Sequence, residues 1–241
     1  MIPTFPDDCP QTIAPLDDWW IQHNTQELEY GCLLWAFVPH VDQVPMALVA
    51  QGRSEATNHH LADCDIIPAN SNRIFQRSRL PVASIPCYPN EVRTVYRSKK
   101  RPALLMVPPG EDVPRSMMAS KPRSLTRPTA IIAPYYGRAE GTGKRSGFPQ
   151  PFVDRVRCCE YPRFAWDKLP ISSSEESILR LDHLLPMSIN NIAFEKTQWK
   201  LSEEAFYIIM EWFEWYYTGS IPENNDSLLC HIREELMLDQ A

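Results

Sequence analysis

Short apolar runs separated by proline and glycine constrain the fold of this chain more than any other feature. None of them is longer than a strand, and they recur at residues 66–67, 92–96, 103–107, 130–133, 152–158 and 178–185. Many short strands bounded by turn residues are typical of a small antiparallel barrel or sandwich. We therefore expect an α+β fold that is mainly β.

One helix stands out near the C-terminus. Ser202 is a suitable N-cap, Glu203 and Glu204 favour the positive end of the helix dipole, and Gly219 stands where a helix commonly ends. The predicted buried stripe consists of Ala205, Phe206, Ile209, Phe213 and Tyr216, widened by Trp212 and Trp215. Such a face packs on the barrel or against a second chain.

The sequence divides into three predicted segments. Residues 1–64 form an acidic, aromatic N-terminal extension, in which strands at 31–39 and 44–50 are joined by the PHVDQ turn into a β-hairpin. A short helix is expected over 54–64. The barrel domain with its helix covers 65–219, with a long loop at 108–128, and 220–241 is a short helical tail.

Charge is unevenly distributed along a chain whose net charge is −6. Residues 92–164 carry fifteen Lys and Arg against five Asp and Glu, a local net of +10, so the remainder carries −16. A basic surface can hold an RNA or DNA backbone. It can equally dock against acidic segments of its own chain or of a partner, or be a solvated face with no specific role.

Localisation and redox state follow from what the sequence lacks. No run approaches the roughly 18 apolar residues of a membrane span, and MIPTFPDDCP has neither the basic nor the apolar region of a secretory signal. The seven cysteines are scattered, with no C-x-x-C pair, which fits reduced thiols. We expect a cytoplasmic protein that does not contact membranes.

Common cofactor and catalytic signatures are missing as well. Phosphate-loop, dinucleotide, nucleophile-elbow and zinc-protease motifs are all absent. His59, His60 and Cys64 form the only His/Cys cluster, and it lacks a fourth ligand at a suitable spacing. Asp182 and His183 are adjacent on a predicted strand and would therefore point to opposite faces. No metal and no cofactor are expected.

Three segments carry a resemblance to a known family. They are VRTVYRSKKRPALLMV at 92–107, AIIAP at 130–134 and SILRLDHLLP at 177–186. In this order, before the capped helix, they resemble the MazF/PemK family of toxin-like endoribonucleases over roughly residues 65–219. The resemblance implies a small SH3-like antiparallel barrel with a C-terminal helix. It also implies metal-independent cleavage of single-stranded RNA by an arginine and a threonine.

The resemblance assigns candidate site residues. The family arginine falls on Arg101, whose guanidinium would grip phosphate oxygens, and the threonine position is taken by Tyr136. Because the hydroxyl of tyrosine lies several ångströms further from the backbone, the site is predicted to be catalytically degenerate. The residues predicted to bind nucleic acid or a partner are Arg97, Lys99, Lys100, Arg138, Lys144 and Arg145.

Three functions follow as expectations. The first is a degenerate MazF/PemK-like protein that binds a protein partner, acidic in character, as a regulatory component of a bacterial toxin-antitoxin or phage-defence system, CRISPR-associated systems included. The second is an active metal-independent endoribonuclease, in which a residue near Tyr136 or Ser177 replaces the threonine. The third is a non-catalytic nucleic-acid-binding module, with bases stacked on Tyr96, Tyr135, Tyr136 and Phe148. A homodimer is compatible with each of them.

Overall fold

The structure is a computed structural model, and it describes most of the chain. The described residues are 3–41, 44–55, 57–58, 60–70, 74, 91–118, 125–139, 147–171, 175–190, 192–221 and 227–238. The chain forms two compact units. Met1–Phe37 and Lys100–Ala241 make up the main unit, and Val38–Lys99 make up the inserted unit.

The described residues form eleven strands and four helices, so the fold is α+β and mainly β. The strands are β1 (Trp20–Gln22), β2 (Cys32–Pro39), β3 (Met46–Gly52), β4 (Asp63–Pro68), β5 (Arg93–Val95), β6 (Ser98–Val107), β7 (Thr129–Gly137), β8 (Phe164–Lys168), β9 (Glu176–Arg180), β10 (Leu185–Ser188) and β11 (Phe194–Leu201). The helices are α1 (Pro10–Ile13), α2 (Gln150–Arg157), α3 (Glu203–Thr218) and α4 (Leu228–Leu238). Short 3₁₀ turns cover Arg115–Met118 and Leu181–His183.

The larger sheet is a curled antiparallel half-barrel with C-terminal helices. Its strand order is β1-β11-β2-β6-β7-β9-β8, and β10 pairs with β7 beside this path. Alternate residues of β6 face opposite sides, so Leu104 and Met106 lie in one buried cluster while Ala103 and Leu105 lie in another. The expectation of a mainly β fold with a barrel-like sheet is therefore confirmed at this level.

Helix α3 has the ends that its sequence predicts. The Ser202 hydroxyl accepts a hydrogen bond from the Ala205 amide at 3.2 Å, and Gly219 ends the helix at φ 81°, where a side chain would be strained. The predicted buried stripe needs correction. The buried face is centred on Ile208, Trp212 and Trp215, whereas Tyr216 is exposed, because the widest apolar arc of the helix runs through the tryptophans.

The N-terminal segment is part of the core of the main unit. Trp19 and Trp20 are buried, and their indole nitrogens donate to the Asp167 carboxylate at 3.4 and 3.2 Å. The Tyr135 hydroxyl donates to the same carboxylate at 3.1 Å. Burial raises the pKa of Asp167 to about 7, although these three hydrogen bonds act to lower it. This network attaches the strand β1 segment to β7 and β8.

The inserted unit contains a separate three-stranded sheet in the order β4-β3-β5. Strand β3 pairs with β4 from Met46↔Pro68 to Gly52↔Asp63. The predicted hairpin between 31–39 and 44–50 is therefore wrong, although both runs are strands. Strand β2 lies between β11 and β6, and since both of its edges are occupied, β3 pairs elsewhere.

Three further predictions of local structure are wrong. Residues 152–158 lie mostly in α2, where Val153 and Val156 are buried three residues apart, a helical spacing. The helix predicted over 54–64 is not found in the described part of that range, because Asp63 and Cys64 begin β4. The run 178–185 is not one strand, since β9 ends at Arg180 and a turn precedes β10.

Three further expectations concern the tail helix, the loop 108–128 and the boundary at residue 64. The tail helix is confirmed as α4, with Leu229, Ile232 and Leu236 buried. The described part of the loop 108–128 contains the 3₁₀ turn Arg115–Met118 and neither a strand nor an α-helix. The expected division at residue 64 falls inside β4, and the inserted unit extends on both sides of it.

Candidate functional site

Arg101 and Tyr136 lie side by side in the main unit. Strands β6 and β7 are antiparallel with Ala103 opposite Pro134, so two residues further along each strand Arg101 meets Tyr136. The guanidinium carbon of Arg101 lies 4.0 Å from the centroid of the Tyr136 ring, a cation–π contact. Arg101 is only 7% exposed, whereas Tyr136 is partly exposed.

The turn after β9 brings His183 to the same place. The Leu181 side chain is buried in the core, which fixes the 3₁₀ turn Leu181–His183. His183 Nδ1 then lies 2.9 Å from the Tyr136 hydroxyl, and the two rings meet edge to face with centroids 5.5 Å apart. A hydroxyl and an imidazole are thereby held in direct contact.

Arg180, the last residue of β9, connects the remaining groups. Its Nε and Nη2 donate to the two carboxylate oxygens of Asp182 at 2.7 and 2.8 Å. Its Nη2 also lies 2.7 Å from His183 Nε2, and its guanidinium carbon lies 5.6 Å from the Tyr136 centroid. The prediction that Asp182 and His183 face opposite sides of a strand is wrong, because both lie in a tight turn and both contact Arg180.

These contacts fix the protonation of His183. Arginine can only donate, so His183 Nε2 must accept from Arg180 and carries no proton. In the neutral ring the proton then lies on Nδ1, which donates to the Tyr136 oxygen. The pKa of His183 is lowered, first by burial and then by the charge of Arg180, which keeps the ring neutral near pH 7. The Tyr136 hydroxyl therefore donates its own proton to a group other than His183.

The five residues Arg101, Tyr136, Arg180, Asp182 and His183 are called the Arg101 cluster. Burial alone would raise the pKa of Asp182, but the hydrogen bonds and charge of Arg180 outweigh it and lower that pKa, so the carboxyl is ionised. Two guanidiniums against one carboxylate leave the cluster with a formal charge of +1. The cluster offers donors and positive charge, as a bound anion requires. Within these five residues, both His183 nitrogens and both Asp182 oxygens are engaged, so no group is placed as a general base.

The other predicted binding residues are dispersed. Lys100 forms an ion pair with Glu195 and lies over the Trp35 ring at 5.8 Å, and Arg138 pairs with Glu176 at 2.7 Å. Arg97 and Lys99 are exposed and belong to the inserted unit. Lys144 and Arg145 lie outside the described residues.

The predicted stacking aromatics have different environments. Tyr135 is buried against Asp167, and this burial raises its pKa well above the usual value. Phe148 packs on Phe152 with centroids 5.4 Å apart, and Tyr96 is exposed in the inserted unit. Only Tyr136 lies in the Arg101 cluster. Tyr135, Tyr136 and Phe148 of the main unit therefore do not share one environment.

Arg180 and His183 are the site residues that sequence reasoning missed. The segment LRLDH contains the signal, since it places an arginine, a carboxylate and an imidazole within four positions. Among the described residues, no three His, Cys, Asp or Glu side chains come together in a way that would hold a metal ion. The helices that the structure describes include none long and apolar enough to cross a membrane.

Comparison with known proteins gives no relative. No protein-family model, no curated protein and no solved structure matches this chain. The resemblance to the MazF/PemK family thus stays a prediction from sequence, and the function has to be argued from the Arg101 cluster itself.

Proposed function

We propose that this protein binds single-stranded RNA through a phosphodiester group at the Arg101 cluster and does not cleave it. The observation that carries the proposal is the Tyr136 hydroxyl, which accepts from His183 Nδ1 at 2.9 Å between two guanidiniums. A hydroxyl that accepts a hydrogen bond in this way still has a proton to donate, and two guanidiniums lie beside its ring. Phosphate is an anion that takes such donors.

The residues have separate parts in this binding. Tyr136, Arg180 and His183 are each partly exposed, so Tyr136 and Arg180 are the groups that contact the phosphate. Arg101 is a positioning residue. Its nearly buried guanidinium lies against the Tyr136 ring, holds the ring in place and adds a positive charge beside it. Cleavage of RNA needs a group that removes the proton of the 2′-hydroxyl. His183 is not placed to remove this proton. Its Nδ1 donates to Tyr136 and its Nε2 accepts from Arg180, so either nitrogen would have to lose its contact first.

A cleft on the main unit is separate from the Arg101 cluster. It has a volume of about 520 Å³, and its lining includes Trp35, Phe37, Phe194, Lys100 and Lys196. Both ammonium groups are engaged within the chain, since Lys100 pairs with Glu195, which also lines the cleft, and Lys196 donates to the carbonyls of Thr25 and Glu27. Lys100 and Arg101 are successive residues of β6, so the cleft and the cluster lie on opposite faces of the sheet.

The proposal is compatible with a MazF/PemK-like ancestry in which RNA binding outlasts cleavage. The expected acidic protein partner fits less well. Two of the lysine and arginine side chains that would receive it, Lys100 and Arg138, are already paired with Glu195 and Glu176 of the same unit. A role in a toxin-antitoxin or defence system would then be carried out by binding RNA and not by binding an acidic protein.

The test is binding of a fluorescein-labelled, unstructured 12-nucleotide RNA to the full chain, followed by anisotropy without metal. Tyr136→Phe removes the hydroxyl but keeps the ring under Arg101, and Arg180→Lys keeps the charge but loses the fork. Each should weaken binding by about tenfold, since a hydrogen bond to a charged group contributes about 1.5–3 kcal/mol. Arg115→Gln removes an exposed charge outside the cluster and is the matched control.

Two results would overturn the proposal. One is the absence of RNA binding at low salt, or binding that Tyr136→Phe and Arg180→Lys leave unchanged. The other is cleavage of the same RNA that disappears in Arg101→Ala, which would establish the endoribonuclease function instead. Circular dichroism of each variant checks that the fold is retained.

A further inference from the structure

Helix α3 presents an aromatic face opposite its fully buried residues, on which Tyr207 and Tyr217 are exposed and Phe206, Met210 and Phe213 pack partly against the core. At 100° per residue, Phe206, Tyr207, Met210, Phe213 and Tyr217 fall within an arc of about 120°, together with Glu203 and Glu214. The opposite side of the helix is buried through Ala205, Ile208, Ile209, Trp212 and Trp215. We call the first set, with its two glutamates, the α3 face.

The α3 face is exposed to a degree that is unusual for such residues. Tyr207 is 51% exposed and Tyr217 is 81% exposed, while Phe206, Met210 and Phe213 are each partly exposed. Tyr30, which is 52% exposed, extends the surface by packing on Phe206 with ring centroids 5.7 Å apart. Contiguous exposed aromatic area with a polar rim is characteristic of protein interaction sites.

The charge of the helix restricts the occupant. Helix α3 contains Glu203, Glu204, Glu211 and Glu214 and no lysine or arginine, and only Glu211 is buried. A second copy packed antiparallel on this face would bring Glu203 of one chain toward Glu214 of the other, with no lysine or arginine of either α3 between them. A nucleic acid would meet the same repulsion.

We propose that the α3 face binds an amphipathic helix of a partner protein, with apolar side chains on one side and lysine or arginine at its rim. The 16-residue length of α3 gives about 24 Å of surface, enough for three to four turns of a partner helix. Apolar side chains of the partner pack on Met210, Phe213 and Tyr217, and its cations pair with Glu203 and Glu214. This site is independent of the RNA site.

The test uses two labelled 18-residue peptides on the full chain. One has leucine at positions spaced three and four residues apart and lysine elsewhere, so that leucine occupies a single helical face, and the other has glutamate at every lysine position. Tyr207→Gln/Tyr217→Gln should weaken binding of the lysine peptide by about tenfold, because exposed aromatic anchors dominate such contacts. Glu203→Gln/Glu214→Gln should weaken it by about threefold or more at low salt, and less at high salt.

Met237→Gln and Glu235→Gln are the matched controls. Both residues are exposed on α4, which packs against the side of α3 that carries Glu211 and Trp215. Binding equal in all variants, or equally tight binding of the glutamate peptide, would overturn the proposal. So would a dimer in sedimentation velocity that Tyr207→Gln/Tyr217→Gln dissociates, since the occupant would then be a second copy.

Discussion

Replacing Asp167 with asparagine should remove a large pH dependence from the stability of the main unit. Asp167 is fully buried, and three neutral donors surround it: the indoles of Trp19 and Trp20 and the hydroxyl of Tyr135. Burial is the largest effect on this carboxyl, and it raises the pKa from 3.8 to about 7. Between pH 3.8 and about 7, Asp167 therefore holds a proton in the folded state that it releases in the unfolded state.

The sign and size of the effect follow from this difference. A raised folded-state pKa gives stability that is complete below pH 3.8 and is lost as the pH rises toward about 7. At about 1.4 kcal/mol per pKa unit, the free energy of unfolding should fall by about 4 kcal/mol between pH 4 and pH 8 through this group alone. Asparagine resembles the protonated acid in shape and hydrogen bonding and does not titrate.

Urea unfolding followed by tryptophan fluorescence measures the effect. All seven tryptophans lie in the main unit, so the signal reports on that unit. Subtracting the free energy of unfolding of Asp167→Asn from that of the wild type cancels the contributions of the other titrating groups. As the pH rises, the wild type should lose stability relative to the variant. The same subtraction with Asp112→Asn, which removes an exposed carboxylate, gives the baseline. A difference that stays constant within about 0.5 kcal/mol from pH 4 to pH 8 would refute the reasoning, since it is far smaller than the predicted change.

Three further predictions concern single residues. Long-range ¹⁵N–¹H NMR at pH 7 should find His183 neutral with its proton on Nδ1, and a predominance of Nε2–H would contradict the contact with Arg180. Ser202→Ala should lower the free energy of unfolding by about 1 kcal/mol through loss of the α3 cap, as measured in urea, with Ser188→Ala as an exposed control. Burial raises the pKa of the Cys159 thiol well above its usual value, so Cys159 should react with Ellman's reagent only on unfolding, after the partly exposed Cys64.

Local signals explain which elements the sequence predicts well. Helix α3 carries its cap, its first-turn acids and its terminal glycine within one continuous segment. Each of these residues stabilises the helix end at which it lies, so the helix can be predicted without knowing its distant partners. The partner of a strand is chosen by distant residues. Strand β2 pairs with β11, more than 150 residues away in sequence, and nothing in the turn after residue 39 indicates this. Helix α2 was missed because Val153 and Val156 are too few to show a helical period.

The candidate site likewise contains residues that the sequence predicts and residues that it does not. Arg101 and Tyr136 were identified through the resemblance, and the antiparallel register of β6 and β7 places them together. The sequence predicts a strand at His183 and therefore does not join this residue to the site. A change from strand to 3₁₀ turn over three residues brings Asp182 and His183 to one arginine, and apolar periodicity does not reveal so short a turn.

Part of the basic middle of the sequence is paired with carboxylates of the main unit, and the surfaces of that unit predict two ligands of opposite charge. Lys100, Arg138 and Arg157 pair with carboxylates of the main unit, while the Arg101 cluster keeps a formal charge of +1 and the outer surface of α3 is acidic. The turn Leu181–His183 packs on the buried side of α3, so the α3 face points away from the cluster.

Variants at one site should therefore leave the other site intact. Tyr136→Phe is expected to keep binding of the lysine peptide within about twofold of wild type, and Glu203→Gln/Glu214→Gln to keep RNA binding within the same range at 0.15 M salt, where exposed charges are screened over about 8 Å. Anisotropy of both labelled ligands on both variants provides the comparison. If either variant weakened both ligands alike, RNA and peptide would share one surface, and the separation into two sites would be wrong.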